Sequence, residues 1–109
     1  MTLGTPFKSG DVILAQVQFT DTLEIKKRPA VVLFEEYDNV VIAGITSNTN
    51  MVGIPISKEE GAIKDSVIKL NYIFTIAKFL VQKVLFSLNE AKKQEIYSEL
   101  TNKLKNLLS

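Results

Sequence analysis

Near the start of the chain, Ile13, Ala15, Val17 and Phe19 are apolar while Gln16 and Gln18 are polar. That period of two predicts a half-buried strand over 10–19. Thr20 to Lys27 (TDTLEIKK) is a polar connection, and Arg28-Pro29 drives the chain extended ahead of the β-branched run Ala30 to Phe34, a second strand. Glu35 to Asn39 supplies turn residues, and Val40 to Ile45 (VVIAGI) returns as a third strand, giving a hairpin. Both strands of this hairpin are apolar on both faces, so the second face needs a cover. A partner subunit would provide one, and so would a small barrel curled on itself.

Polarity returns abruptly at Thr46 to Asn50, after which short apolar segments at Val52 to Ile56, Val67 to Leu70 and Ile73 to Ile76 predict short strands, the first two separated by a turn at Glu59-Glu60-Gly61. The stretch from Ile76 to Phe86 reads as a turn through Phe79 and then a strand at Val81 to Leu85. At the C-terminus the period changes: Ile96, Leu100, Leu104, Leu107 and Leu108 fall at helical spacing among Lys, Glu and Asn. This predicts an amphipathic helix over about 89–108, capped by Asn89 or, in a capping-box pattern with Glu90, by Ser87. Short strands followed by one terminal helix make a mainly β fold, a small barrel with a helix packed on it, in a single domain spanning 1–109.

Composition narrows the chemistry. The 109 residues contain neither cysteine nor histidine, which removes zinc fingers, thiol nucleophiles, imidazole bases and most transition-metal sites. No metal site and no cofactor is expected. The N-terminal MTLGTPFKS lacks the apolar core of an export signal, and no apolar run is long enough to span a bilayer, so a cytoplasmic protein with no membrane partner is expected. Thirteen basic residues against twelve acidic leave a formal charge of +1, but the distribution is uneven. Gly61 to Leu88 holds four lysines and one aspartate, whereas Pro29 to Glu60 holds one lysine and five acids. Nucleic acid would therefore have to meet a local patch.

The one dense basic cluster is Lys26-Lys27-Arg28, where cations can grip a phosphate backbone, or simply solvate the start of a strand. Pro29 sets Arg28 against rigid strand structure, which suits a guanidinium forking onto a phosphate. Thr46 and Ser47 stand where the third strand leaves the core, as ligand-facing hydroxyls or as the first residues of a loop. Lys69 and Asn71, two residues apart on one strand, would share a polar, cationic face. The paired acids Glu35-Glu36 and Glu59-Glu60 lie in turns and read as solubility features.

Taken in order, Gly10-Asp11-Val12-Ile13-Leu14-Ala15, Arg28-Pro29-Ala30-Val31-Val32-Leu33 and Ile45-Thr46-Ser47 resemble the motifs of the MazF/PemK family of toxin endoribonucleases. Asp65 to Ile76, and Lys83 to Glu90 with the helix that follows, resemble the family's later segments, so the likeness covers nearly the whole chain. It implies an SH3-like barrel of the CcdB/PemK type, a homodimer, a cognate antitoxin that masks it, and metal-independent cleavage of single-stranded RNA at short sequences. Carried over by position, Arg28 matches the catalytic arginine and Thr46 the hydroxyl at the strand end. Lys26, Lys27, Ser47, Lys69 and Asn71 become candidate RNA contacts, Lys69 and Asn71 standing where some members have Arg and Asp.

The sequence departs from the family at Asn71, which cannot accept a proton as a carboxylate would, and in the Thr20 to Lys27 loop, which lacks the usual Gly-Ser-Glu-Gln and any histidine. Attack by a ribose 2′-OH requires deprotonation, stabilisation of charge on phosphorus and protonation of the leaving oxygen. Arg28 suits the second task and Thr46 can orient a phosphate oxygen, leaving Asp21 or Glu24 in the loop as candidates for a base. Two rival functions fit the same barrel: a non-catalytic module binding nucleic acid or protein, and a CcdB-like toxin directed at a topoisomerase.

Overall fold

The computed structural model describes residues 7–17 and 25–109. Its six strands are β1 (Asp11–Val17), β2 (Lys26–Glu36), β3 (Asn39–Thr46), β4 (Ile54–Ile56), β5 (Ser66–Ala77) and β6 (Val81–Ser87). They form one antiparallel sheet in the order β4-β5-β3-β2-β1-β6, followed by helix α1 (Glu90–Leu104) and a 3₁₀ turn at Lys105–Leu108. This is the expected mainly β architecture, realised as a curled six-stranded sheet with one C-terminal helix.

The curl explains the doubly apolar hairpin. Val12, Val31, Ala43 and Ile45 enter a core that includes Ile96 of α1, while Ile13, Ala30, Val32 and Ile42 enter a second core with Tyr72 on the other face. Both faces of β2 and β3 are thus covered within the chain, and the apolar pattern does not require a partner. The same geometry corrects the half-buried reading of β1: lying between β2 and β6, it buries Val12 as completely as Ile13. Phe19 lies outside the described residues.

The hairpin turn is tighter than expected, closing over Tyr37 and Asp38, with Tyr37 at a left-handed φ of 55°. The strands predicted at Val67 to Leu70 and Ile73 to Ile76 are one strand, β5, carrying a large bulge. Ala43 pairs with Ile73 and the next residue, Gly44, with Lys69, so Leu70 to Tyr72 are extruded between them. Periodicity alone breaks at such a bulge, which is why the sequence shows two short strands.

Asn89 caps α1, its side chain accepting from the Lys92 N–H at 2.8 Å. Ser87 instead belongs to β6 and donates to Asp11 Oδ1 at 2.7 Å, tying β6 to β1. Ile96 is buried against the sheet and Leu100 partly so, but Leu104, Leu107 and Leu108 are exposed: the apolar stripe runs on beyond the sheet it was expected to cover. The turn acids are not merely solvated. Glu35 accepts from the Phe7 N–H at 2.8 Å and pairs with Lys78 at 3.3 Å, and together these contacts hold its carboxyl below its usual 4.5.

Candidate nucleic-acid interface

The β2–β3 ladder ends at Ala30 and Gly44, beyond which β3 continues against β5 through Thr46 and Val67. Past that point β2 stays paired with β1, Arg28 facing Ala15 and Lys26 facing Val17. Pro29, which has no N–H to offer a ladder, sits at the break. Two strands that part company leave an opening, and a cavity of about 380 Å³ lies there, lined by Lys26, Arg28, Thr46 and Ser47. Carrying the register two residues past its last pair sets Arg28 opposite Thr46, so residues far apart in sequence meet at one end of one sheet. β2 opens at Lys26, so the KKR segment forms the start of a strand and Lys26-Lys27 are part of it rather than of the preceding connection; the Arg28 Nε is buried there.

The facing wall comes from the segment joining β4 to β5. A 3₁₀ turn at Lys58–Glu60 opens with a capping box: the Ser57 N–H donates to Glu60 Oε1 at 3.0 Å. Gly61 follows at φ 118°, where a side chain would be strained, and a Cβ there would also lie 2.7 Å from Cδ2 of Phe86. Lys92 of α1 pins the segment from outside, its Nζ donating to the Pro55 carbonyl at 2.6 Å and pairing with Glu60 at 3.4 Å. The Ser57 N–H and the Lys92 ammonium outweigh burial and keep the Glu60 carboxyl below its usual 4.5. Asp65 Oδ1 closes the far end by accepting from the Lys58 N–H at 3.1 Å.

Lys26, Arg28 and Lys64 give the cavity three cations, and Thr46, Ser47 and Ser66 give it hydroxyls, with no carboxylate among its described lining residues. Thr46 Oγ1 accepts from the Asn48 N–H at 3.2 Å, which fixes the rotamer and leaves the hydroxyl hydrogen for an acceptor in the cavity. Such a site favours an oxyanion: a guanidinium on rigid backbone offers a planar fork of donors, and the nearby ammoniums supply further positive potential.

The sequence-predicted residues separate into groups. Lys26, Arg28, Thr46 and Ser47 come together, whereas Lys27 is exposed opposite Gln16 and does not line the cavity. Lys69 and Asn71 line a different cleft of about 450 Å³, with Glu95, Glu99 and Lys103 of α1. The β5 bulge takes them out of simple alternation. Lys69 is buried, only 8% exposed, with Nζ donating to the Val52 carbonyl at 2.6 Å and 5.5 Å from the Tyr72 ring centre, while Asn71 is exposed. Asp21 and Glu24 lie outside the described residues. Lys64, Ser66 and Phe86 were missed, and the signal available for them was the lysine excess of Gly61 to Leu88. Among the described residues no group of three His, Cys, Asp or Glu side chains could hold a metal ion, and no helix is long and apolar enough to cross a membrane.

Residues 8–104 match the family model of PemK-like, MazF-like toxins of type II toxin-antitoxin systems. No curated protein sequence matches the chain. Among solved structures, the Mycobacterium tuberculosis toxin MazF-mt6 superposes with a TM-score of 0.73 at 20% identity, covering 87% of this chain and 96% of that one. The MazE-MazF complex from Deinococcus radiodurans gives 0.73 at 14% identity, covering 93% and 97%. An endoribonuclease in complex with its cognate antitoxin from a mycobacterial species gives 0.67 at 16%, covering 88% and 90%. At these identities the structural likeness speaks for the fold.

Proposed function

Because the chain belongs to the PemK-like, MazF-like toxins of type II toxin-antitoxin systems, we propose that it is an endoribonuclease that cleaves single-stranded RNA without a metal, and that the Arg28 cavity is its active site. The observation that carries this reading is the meeting of Arg28 and Thr46 in one cavity lined by cations and hydroxyls and free of carboxylate among its described residues.

In that reading the scissile phosphate sits against Arg28. The ribose 2′-hydroxyl gives its proton to the base, its oxygen attacks phosphorus, the bond to the 5′-oxygen breaks, and that oxygen takes a proton from water, giving a 2′,3′-cyclic phosphate and a 5′-hydroxyl. Charge builds on the non-bridging oxygens as the attack proceeds, and a forked guanidinium binds that state more tightly than the ground state. Thr46 donates to one of those oxygens and holds the phosphate in line. Asp21 and Glu24 are the proposed bases; a missing base typically costs about 10² to 10⁴ in rate, which orientation and Arg28 alone would leave as a slow enzyme. Lys26 and Ser47 contact the RNA within the same cavity, and Lys27, Lys69 and Asn71 contact it outside that cavity.

The solved relatives bound to antitoxins support a cognate antitoxin for this chain, one whose acidic segment competes with RNA for the cationic cavity. A homodimer is supported by the groove lined by Phe34, Tyr97 and Leu100 and by the exposed Leu104, Leu107 and Leu108 later in the chain.

Single-turnover cleavage of a broad set of single-stranded RNAs in EDTA tests the reading. Wild type should cut and leave a cyclic phosphate, and Arg28→Ala should be slower by at least about 10². Absence of cutting on every sequence, or an Arg28→Ala protein as fast as wild type, would replace the nuclease with the non-catalytic binding module.

A further inference from the structure

The wall of the Arg28 cavity that carries Lys64 is the segment between β4 and β5, and residues 57–65 of that segment pair with no strand. Contacts inside the segment set its shape. The Ser57–Glu60 box closes its first turn, and Asp65 accepts from the Lys58 N–H. Gly61 and Ala62 give it an apolar footing on the Phe86 ring and the core, but apolar contact is non-directional and leaves the segment free to slide. Its place depends on a directional contact from outside. Lys92 of α1 makes one: Nζ donates to the Pro55 carbonyl at 2.6 Å, just ahead of the segment, and pairs with Glu60 within it at 3.4 Å. The helix behind Lys92 is itself anchored. The Leu88 N–H donates to the Gly10 carbonyl at 2.9 Å, Asn89 accepts from the Lys92 N–H, and Ile96 is buried one turn on. Lys92 does not line the cavity.

We propose that Lys92 is a positioning residue of the Arg28 site: from outside the cavity it holds the 57–65 segment where Lys64 shares an oxyanion with Arg28 and Thr46. An effect on cleavage rate rests on the endoribonuclease reading above, whereas an effect on oxyanion binding needs only the cavity. With Lys92 in place, the Lys64 ammonium adds its potential to that of the guanidinium at one point. Without it the segment slides on its apolar footing, and a displacement of about 1 Å is enough to cost much of the rate. The molecule also contains a matched pair that separates positioning from stability. Lys78 and Glu35 lie 3.3 Å apart with side chains 13% and 19% exposed, against 12% and 26% for Lys92 and Glu60. The Lys78 N–H donates to the Asp38 carbonyl at the hairpin turn, the end of β2 and β3 opposite Arg28 and Thr46.

The test is titration of the full chain with inorganic phosphate, followed by NMR, alongside single-turnover cleavage at saturating RNA. Three variants are compared with wild type: Lys92→Met, Glu60→Gln, which keeps an amide oxygen for the Ser57 N–H but loses the charge, and Lys78→Met. Lys92→Met and Glu60→Gln should each weaken phosphate by about threefold and slow cleavage by about tenfold. Their combination should be no worse than either alone, since both break one contact. Lys78→Met should lose comparable stability and leave phosphate binding and cleavage as in wild type. A Lys92→Met protein that binds phosphate and cuts as wild type does, or a Lys78→Met protein with equal losses, would overturn the positioning role, as would a wild type that binds no phosphate at Arg28. Phosphate binding that weakens in Lys92→Met while wild type cuts no RNA would keep the positioning role and remove the nuclease. Cleavage that Lys92→Met leaves untouched would do the reverse.

Discussion

Lys92 of α1 and Glu60 of the β4–β5 segment form an ion pair at 3.4 Å, through which the C-terminal helix holds one wall of the Arg28 cavity. Both side chains are largely shielded, and the same ammonium also donates to the Pro55 carbonyl, so this contact differs from a solvated surface pair. Lys92→Met should lower stability by about 1–2 kcal/mol in urea unfolding, the range for losing a charge-assisted hydrogen bond and its partly buried partner.

The acid limb of stability should report the same contact. The Glu60 carboxyl is held below its usual 4.5 in the folded chain, so its contribution is complete above that value and is lost as pH falls through the lower folded value. Glu35 has the same sign, from the Phe7 N–H and Lys78. Melting curves from pH 6 down to pH 3 should show stability falling, and Glu60→Gln should fall less steeply; an identical slope would mean that the pair is not maintained in solution.

Lys69 is buried, belongs to none of the ion pairs among the described residues, and has a carbonyl and an aromatic ring as its contacts. Its ammonium makes a charge-assisted hydrogen bond, and it shares its cleft with the carboxylates Glu95 and Glu99 as well as with Lys103. Lys69→Met should lower stability by about 1–2 kcal/mol, because the Val52 carbonyl loses its donor, and RNA affinity should fall with its logarithmic salt slope dropping by about 1. Loss of stability with unaltered RNA binding would make Lys69 a structural residue.

The exposed helix end gives a direct measure of assembly. Leu107 and Leu108 are 81% and 89% exposed, beyond the groove that Phe34 and Tyr97 line. Light scattering of wild type should return twice the chain mass at micromolar concentration, and Leu104→Asp with Leu107→Asp should return the single-chain mass with an unchanged circular dichroism spectrum. A wild type that stays at one chain mass would remove the homodimer.

Tyr37 carries a left-handed backbone at the tip of the β2–β3 hairpin, a conformation that costs an L-residue about 1 kcal/mol and a glycine almost nothing. Tyr37→Gly should therefore raise stability by about 0.5 kcal/mol in the same urea assay, the remainder being offset by the greater freedom of glycine in the unfolded chain.

Much of this molecule is legible in its residues. Alternation and β-branched runs place β1, β2 and β3, Asn89 marks the start of α1, and the order of the Gly-Asp, Arg-Pro-Ala and Thr-Ser segments points to the family that the chain belongs to. These signals are local, set by the backbone preferences and burial period of neighbouring residues, and so survive without a fold. Tertiary structure decided the rest. The bulge at Leu70 to Tyr72 fused two predicted strands and sent Lys69 and Asn71 to a cleft apart from Arg28. The curl of the sheet covered the hairpin's second face, and the parting of β2 from β3 brought Arg28 to Thr46. Lys64 and Phe86 joined them because a glycine at φ 118° and a lysine from the far end of the chain hold one segment against the cavity. Contacts between residues distant in sequence depend on where the chain bends, and that is fixed by the packing of the whole sheet rather than by any window along it.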